Sequence, residues 1–135
     1  MSKIVTISEA AHIALHGMIL VAQSKDVINV NTISERTDAS KHHVAKIFQR
    51  LVKAKLVNSQ RGPSGGFTLN KKPEEITFLD LYELIEGEIS TNECPLDKPV
   101  CPFERCIMNG ITRKLTIEFR DYMASQTLAM YIKKK

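Results

Sequence analysis

The stretch that most constrains this chain is residues 40–69, where an amphipathic helical run feeds directly into a glycine-tipped hairpin. Val44, Ile47, Phe48, Leu51 and Val52 recur at helical spacing, while Lys41, His42, Lys46, Gln49, Arg50 and Lys53 fall largely outside that stripe. Ser40 stands just ahead of the run, where its hydroxyl can accept a hydrogen bond from an otherwise unpaired backbone N–H. The helix is expected to end near Lys53. A short strand over residues 56–60 follows, then the turn Arg61-Gly62-Pro63-Ser64-Gly65-Gly66, then a return strand over 67–69. The paired glycines permit the positive φ that a hairpin tip requires.

Upstream, Ile7, Ala11, Ala14, Leu15, Met18 and Ala22 predict a helix over 7–22, capped by Ser8 and carrying Glu9 in its first turn. Residues 32–37 form a short helix with Ile33 inside, and Asp38-Ala39 turn into the next. Downstream, Thr77 caps a helix over 78–86 that Gly87 stops. Residues 88–103 lose periodicity and read as a loop. A long helix is expected from about Glu104, with Met108, Ile111, Leu115, Phe119 and Tyr122 in one stripe and Ile107, Ile117 and Leu128 extending the apolar surface. That much apolar surface on a terminal helix predicts packing against a second copy. The expected fold is mainly α with a small β-hairpin wing. Residues 1–87 would be a winged helix-turn-helix domain, 88–106 a cysteine-rich loop, and 107–135 a dimerisation helix with a basic tail.

Helix, turn, helix and hairpin is the order of a winged helix-turn-helix. In such a fold the second helix enters the major groove with its N-terminal residues at the base edges. Those residues would be Ser40, Lys41, His42 and His43, with Lys46 one turn further in. Arg61 at the hairpin edge would reach a minor groove, where narrowness attracts a guanidinium, and Ser64 and Gly65 would lie at the tip. The expected partner is double-stranded DNA, a palindromic operator read by a homodimer. The net charge of +4 is compatible with a polyanion but weak alone. The competing reading is a non-DNA-binding adaptor that uses the same helices for protein contact. An enzyme is not expected: 135 residues leave little room for a deep cleft, no nucleotide-binding glycine loop is present, and the cysteines lack a histidine base.

Cys94, Cys101 and Cys106 are spaced C-x6-C-x4-C. Residues five apart on a helix point about 140° away from each other, so a loop must gather the thiols. Pro95, Pro99 and Pro102 keep that segment from becoming helical. Soft thiolates select iron–sulfur clusters, zinc or copper(I). Structural zinc sites usually carry a C-x2-4-C pair, so gaps of six and four lower zinc without excluding it, and a thiol- or zinc-sensing loop stays open. Met1-Ser2-Lys3 runs straight into the first helical pattern, and the longest apolar stretch, 13–22, is interrupted by His16 and Gly17. The expectation is a cytoplasmic chain with reduced thiols and no membrane partner.

Ile33-Ser34-Glu35-Arg36, Ser40 with 46–51 (KIFQRL), 53–57 (KAKLV) and 61–69 (RGPSGGFTL) together resemble the IscR/NsrR/CymR family of bacterial repressors, over nearly the whole chain. The resemblance implies an iron–sulfur cluster held by the three cysteines and a regulator that senses nitric oxide, redox or iron status. Some members of that family add a histidine just after the last cysteine, where Asn109 stands here. Others use an acidic residue from the partner subunit's first helix, a position that Glu9 matches. That implies 4Fe-4S ahead of 2Fe-2S, with His12 and His16 as fallback ligands. An acid in a helix's first turn is also favoured by the dipole alone. Lys55 stands where the family usually has glycine, so a different local turn is expected there.

Overall fold

The computed structural model describes residues 5–91 and 102–132. Among them run α1 (Glu9–Gln23), α2 (Val30–Thr37), α3 (Lys41–Lys53), β1 (Val57–Gln60), β2 (Gly66–Leu69), α4 (Phe78–Glu86) and α5 (Ile111–Ser125). Side-chain caps place four of the helix starts. Ser8, Asn29, Ser40 and Thr77 each accept a backbone N–H of the first turn. At α4 the cap is reciprocal, because Asp80 accepts the Thr77 amide in return.

One core joins these elements. Ile13, Met18, Ile33, Val44, Phe48, Leu51, Leu81 and Leu128 are sealed from solvent. Gly17 lets α1 lie against α3, since a Cβ there would come within 2.8 Å of the Phe48 ring. β1 and β2 pair antiparallel with Val57 opposite Leu69 and Gln60 opposite Gly66. Ile28 adds one isolated bridge, a further rung, by exchanging both backbone hydrogen bonds with Phe67. Gly66 is needed at that rung: its φ is +154°, and a Cβ would sit 2.4 Å from the Ile28 carbonyl oxygen.

The end of α3 differs from expectation. Lys55 does take the left-handed conformation, at φ 64°. The Lys55 amide donates to Val52 and the Leu56 amide to Leu51, the paired bonds of a Schellman cap normally closed by glycine. Asn70 then secures the strained residue by donating its side-chain amide to the Lys55 carbonyl.

The C-terminal region is also corrected. The helix expected from Glu104 begins at Ile111, because Asn109 (φ 51°) and Gly110 (φ 74°) are successive left-handed residues that right-handed helix cannot accommodate. Ile107 and Met108 therefore lie outside the helix. Leu128 is not part of its apolar surface either. Gln126 is extended, the Phe78 amide donates to its carbonyl, and the Leu128 amide donates to Ile76. This pairing returns the chain to the core and buries Leu128 completely. Among the described residues no helix is long and apolar enough to cross a membrane.

Candidate nucleic-acid interface and metal-ligand residues

The Ser40 hydroxyl accepts the His43 amide at 3.1 Å and fixes where α3 starts. From that start the helix buries Val44, Ile47, Phe48 and Leu51 and leaves Lys41, His42, Lys46 and Gln49 exposed. His42, Lys46 and Gln49 are spaced i, i+4, i+7, which is one stripe of a helix. Gln49 is the residue that sequence reasoning passed over, and this spacing is the signal that identifies it. Arg50 goes elsewhere. Its Nη2 donates to the Leu84 carbonyl at 2.7 Å, tying α3 to the last turn of α4.

The hairpin stands beside that stripe. Gln49 and Arg61 line one shallow groove with Ala45, Val52 and Ser59. Asn29 and Asn31 line a second groove at the hairpin, with Gln60 and Gly62. Arg61 and Ser64 are exposed. Gly65 is held by the turn itself: its amide donates to Gly62 at 2.9 Å, and a Cβ would meet the Gln60 carbonyl oxygen at 2.2 Å. The fold thus sets the exposed face of α3 and the hairpin Arg61 side by side.

His43 differs from its neighbour His42. It is half-buried, and its Nδ1 donates to Glu9 Oε1 at 2.9 Å, across 34 residues of sequence. The side chain of Glu9 is 59% exposed. The backbone beneath it is pinned, since the Ser8 hydroxyl accepts the Ala11 amide and donates to Glu86 of α4. His12 donates Nε2–H to the Thr37 carbonyl at 3.1 Å, and His16 donates Nδ1–H to the His12 carbonyl at 2.9 Å. Both fallback histidines are therefore engaged with backbone.

Cys106 is an exposed, unbridged thiol. Cys94 and Cys101 lie outside the described residues. Asn109 closes a turn by donating its amide to the Cys106 carbonyl at 3.1 Å, and its left-handed backbone suits asparagine better than most residues. Val5, Ile7, Tyr82, Ile89, Leu115 and Phe119 line a largely apolar groove. Tyr82 stands edge-on to Phe119 with ring centres 5.3 Å apart. Burial, and secondarily Glu86, push the Tyr82 phenol up, so it stays a neutral hydroxyl.

A capped second helix with one buried and one polar face, preceded by a short helix and followed by a hairpin on the same side, defines a winged helix-turn-helix protein. The chain belongs to the Rrf2 family, described as iron-dependent transcriptional regulators, whose model matches residues 7–134. It is 36% identical over 67 residues to BadM of Rhodopseudomonas palustris, designated an HTH-type transcriptional regulator, covering 50% of this chain and 43% of that one. It is 26% identical over 117 residues to the HTH-type transcriptional regulator IscR of Sodalis glossinidius, covering 87% of this chain and 67% of the relative. The structure is similar to that of CymR, the global cysteine regulator of B. subtilis, with TM-score 0.68 and 29% identity over 93% of this chain and 94% of that one. These relatives are transcription regulators rather than enzymes.

Proposed function

We propose that this chain is a homodimeric DNA-binding regulator, a repressor, whose operator affinity is set by an iron–sulfur cluster. The observation that carries the DNA reading is the exposed stripe of His42, Lys46 and Gln49 with Arg61 beside it. In this arrangement the first turns of α3, with Ser40, Lys41, His42 and His43, face base edges in the major groove. Lys46 neutralises a phosphate, and the hairpin with Arg61, Ser64 and Gly65 lies along the adjacent minor groove. The exposed Ile111, Leu115 and Tyr122 of α5 offer the apolar surface for a second copy. A dimer presents two α3 helices to half-sites about 34 Å apart, one turn of DNA.

The chemistry of the donors supports a cluster. Cys106 is an accessible thiol, and Glu9 is an accessible carboxylate whose Oε2 is not the atom bonded to His43. Cys94, Cys101 and Cys106 would hold the group, with Glu9 of the partner subunit as fourth ligand. The lack of a loop histidine at Asn109 favours 4Fe-4S over 2Fe-2S. Bound there, the cluster supplies a redox-responsive centre. A second reading, a thiol-sensing loop without a cluster, draws on the likeness to CymR. Anaerobic purification with iron and sulfide counts separates the two. A brown protein that turns colourless in Cys101→Ala supports the cluster, whereas a colourless wild type after anaerobic reconstitution supports the thiol.

A further inference from the structure

Resting on the DNA-binding reading above, we propose that His43 is a specificity-determining residue and that Glu9 is its positioning residue. Any other demand on Glu9 is then registered at a base pair. His43 lies in the first turn of α3, the part of a recognition helix that meets base edges. A histidine there is an ambiguous reader, because either ring nitrogen can face a base and each can donate or accept. The Glu9 carboxylate removes the ambiguity. It accepts only, so Nδ1 must be the protonated partner at that 2.9 Å contact. The imidazole is thereby oriented, and Nε2 is the nitrogen left to meet DNA. His42, exposed one residue earlier, has no side-chain partner of this kind among the described residues.

The contact is long-range in sequence and short in space, which makes it a link between elements. Glu9 stands on a fixed base, held by the Ser8 cap and by the Ser8 hydrogen bond to Glu86. Its side chain is the adjustable part. A ligand that draws the carboxylate away leaves the His43 ring less constrained at the base-reading end of α3. Removing His43 and removing Glu9 are therefore not independent changes.

The test uses chelator-treated, full-length protein and duplexes enriched from a randomised library by the wild type. His43→Ala is expected to relax the preference at one base pair per half-site by about tenfold, the size of one lost base contact. Glu9→Ala is expected to relax the same base pair. Glu9→Gln keeps an oxygen that accepts Nδ1–H and should retain the preference, which a merely structural role for Glu9 does not predict. The double Ala variant should be no worse at that base pair than either single. His42→Ala should act at a different base pair, and thermal melts establish that each variant is folded. Unchanged preferences in His43→Ala or Glu9→Ala, effects at different base pairs, or additive effects overturn the proposal. If the wild type enriches no duplex either after chelator treatment or with its iron and sulfide retained, the DNA-binding reading falls and takes this proposal with it. If only the anaerobic protein proves colourless, the cluster reading falls and the Glu9–His43 link stands, because the test contains no cluster.

Discussion

Lys55 carries the clearest local conflict between sequence and backbone. A left-handed conformation costs an L-residue about 1–2 kcal/mol, and glycine avoids that cost while losing roughly 0.5–1 kcal/mol of chain entropy. Lys55→Gly is therefore expected to stabilise the protein by about 0.5–1 kcal/mol, seen as a higher denaturant midpoint with an unchanged m-value. A lower midpoint would show that the lysine side chain contributes more than the strain removes. Gly17 is the opposite case. Alanine is the better helix former by about 1 kcal/mol, but its Cβ would stand 2.8 Å from a fully buried Phe48 ring. Overpacking costs about 1–3 kcal/mol, so Gly17→Ala should lower stability by up to about 2 kcal/mol in the same assay. Neither effect was fully legible in the sequence. The unusual lysine was visible, but the Schellman bonds and Asn70 that keep the turn unchanged come from the packed end of α3. The need for Gly17 arises from a ring that lies 31 residues later in the chain.

At the scale of elements, α3 and the hairpin divide the work of DNA recognition in the proposed docking. Lys46, one turn into α3, is positioned as a phosphate contact. Lys46→Ala should weaken operator and unrelated duplex about equally and lower the salt slope by about one unit. Arg61 at the wing edge should act on discrimination, because minor-groove width depends on sequence. Arg61→Ala should narrow the gap between operator and random duplex. Titrations of both variants at several salt concentrations check the division, and if neither affinity, specificity nor salt slope changes, the docking face is wrong. The elements that the sequence announced were those with chemical punctuation. Ser8, Ser40 and Thr77 capped helices where expected, Gly87 ended α4, and the glycine turn made the hairpin. The region after the cysteine loop lacked such marks. An apolar stripe from Met108 to Tyr122, with Leu128 extending the surface beyond it, satisfied helical spacing but carried no account of two left-handed residues at the start. Nor did it indicate that Leu128 leaves the helix and pairs beside Ile76 to finish the core. Glu9 was visible as an acid in a first turn, yet its contact with His43 depends on how α1 crosses α3, which one chain of letters does not specify.

At the scale of the whole molecule, the proposed function is a coupling between two places in a dimer. One is the thiol loop with Cys94, Cys101 and Cys106. The other is the face formed by α3 and the hairpin. A cluster can regulate only if its presence changes the relative stability of states that bind DNA differently. Burial of Leu128 and the bond from Gln23 to the Tyr131 carbonyl tie the segment after α5 back onto α1, so a displacement of α5 has a covalent and packed route to α1 and the core around it. Cys101→Ala is expected to abolish the brown colour of anaerobic protein while leaving the thermal unfolding of the winged domain in place, checked by absorption and circular dichroism on one sample. The most direct measurement is the affinity for one enriched duplex, compared anaerobically between protein with counted iron and sulfide and the same protein after chelator treatment. The two affinities are expected to differ by about 5- to 150-fold, the range of ordinary allosteric coupling. Equal affinities for the loaded and stripped protein would contradict cluster control of DNA binding.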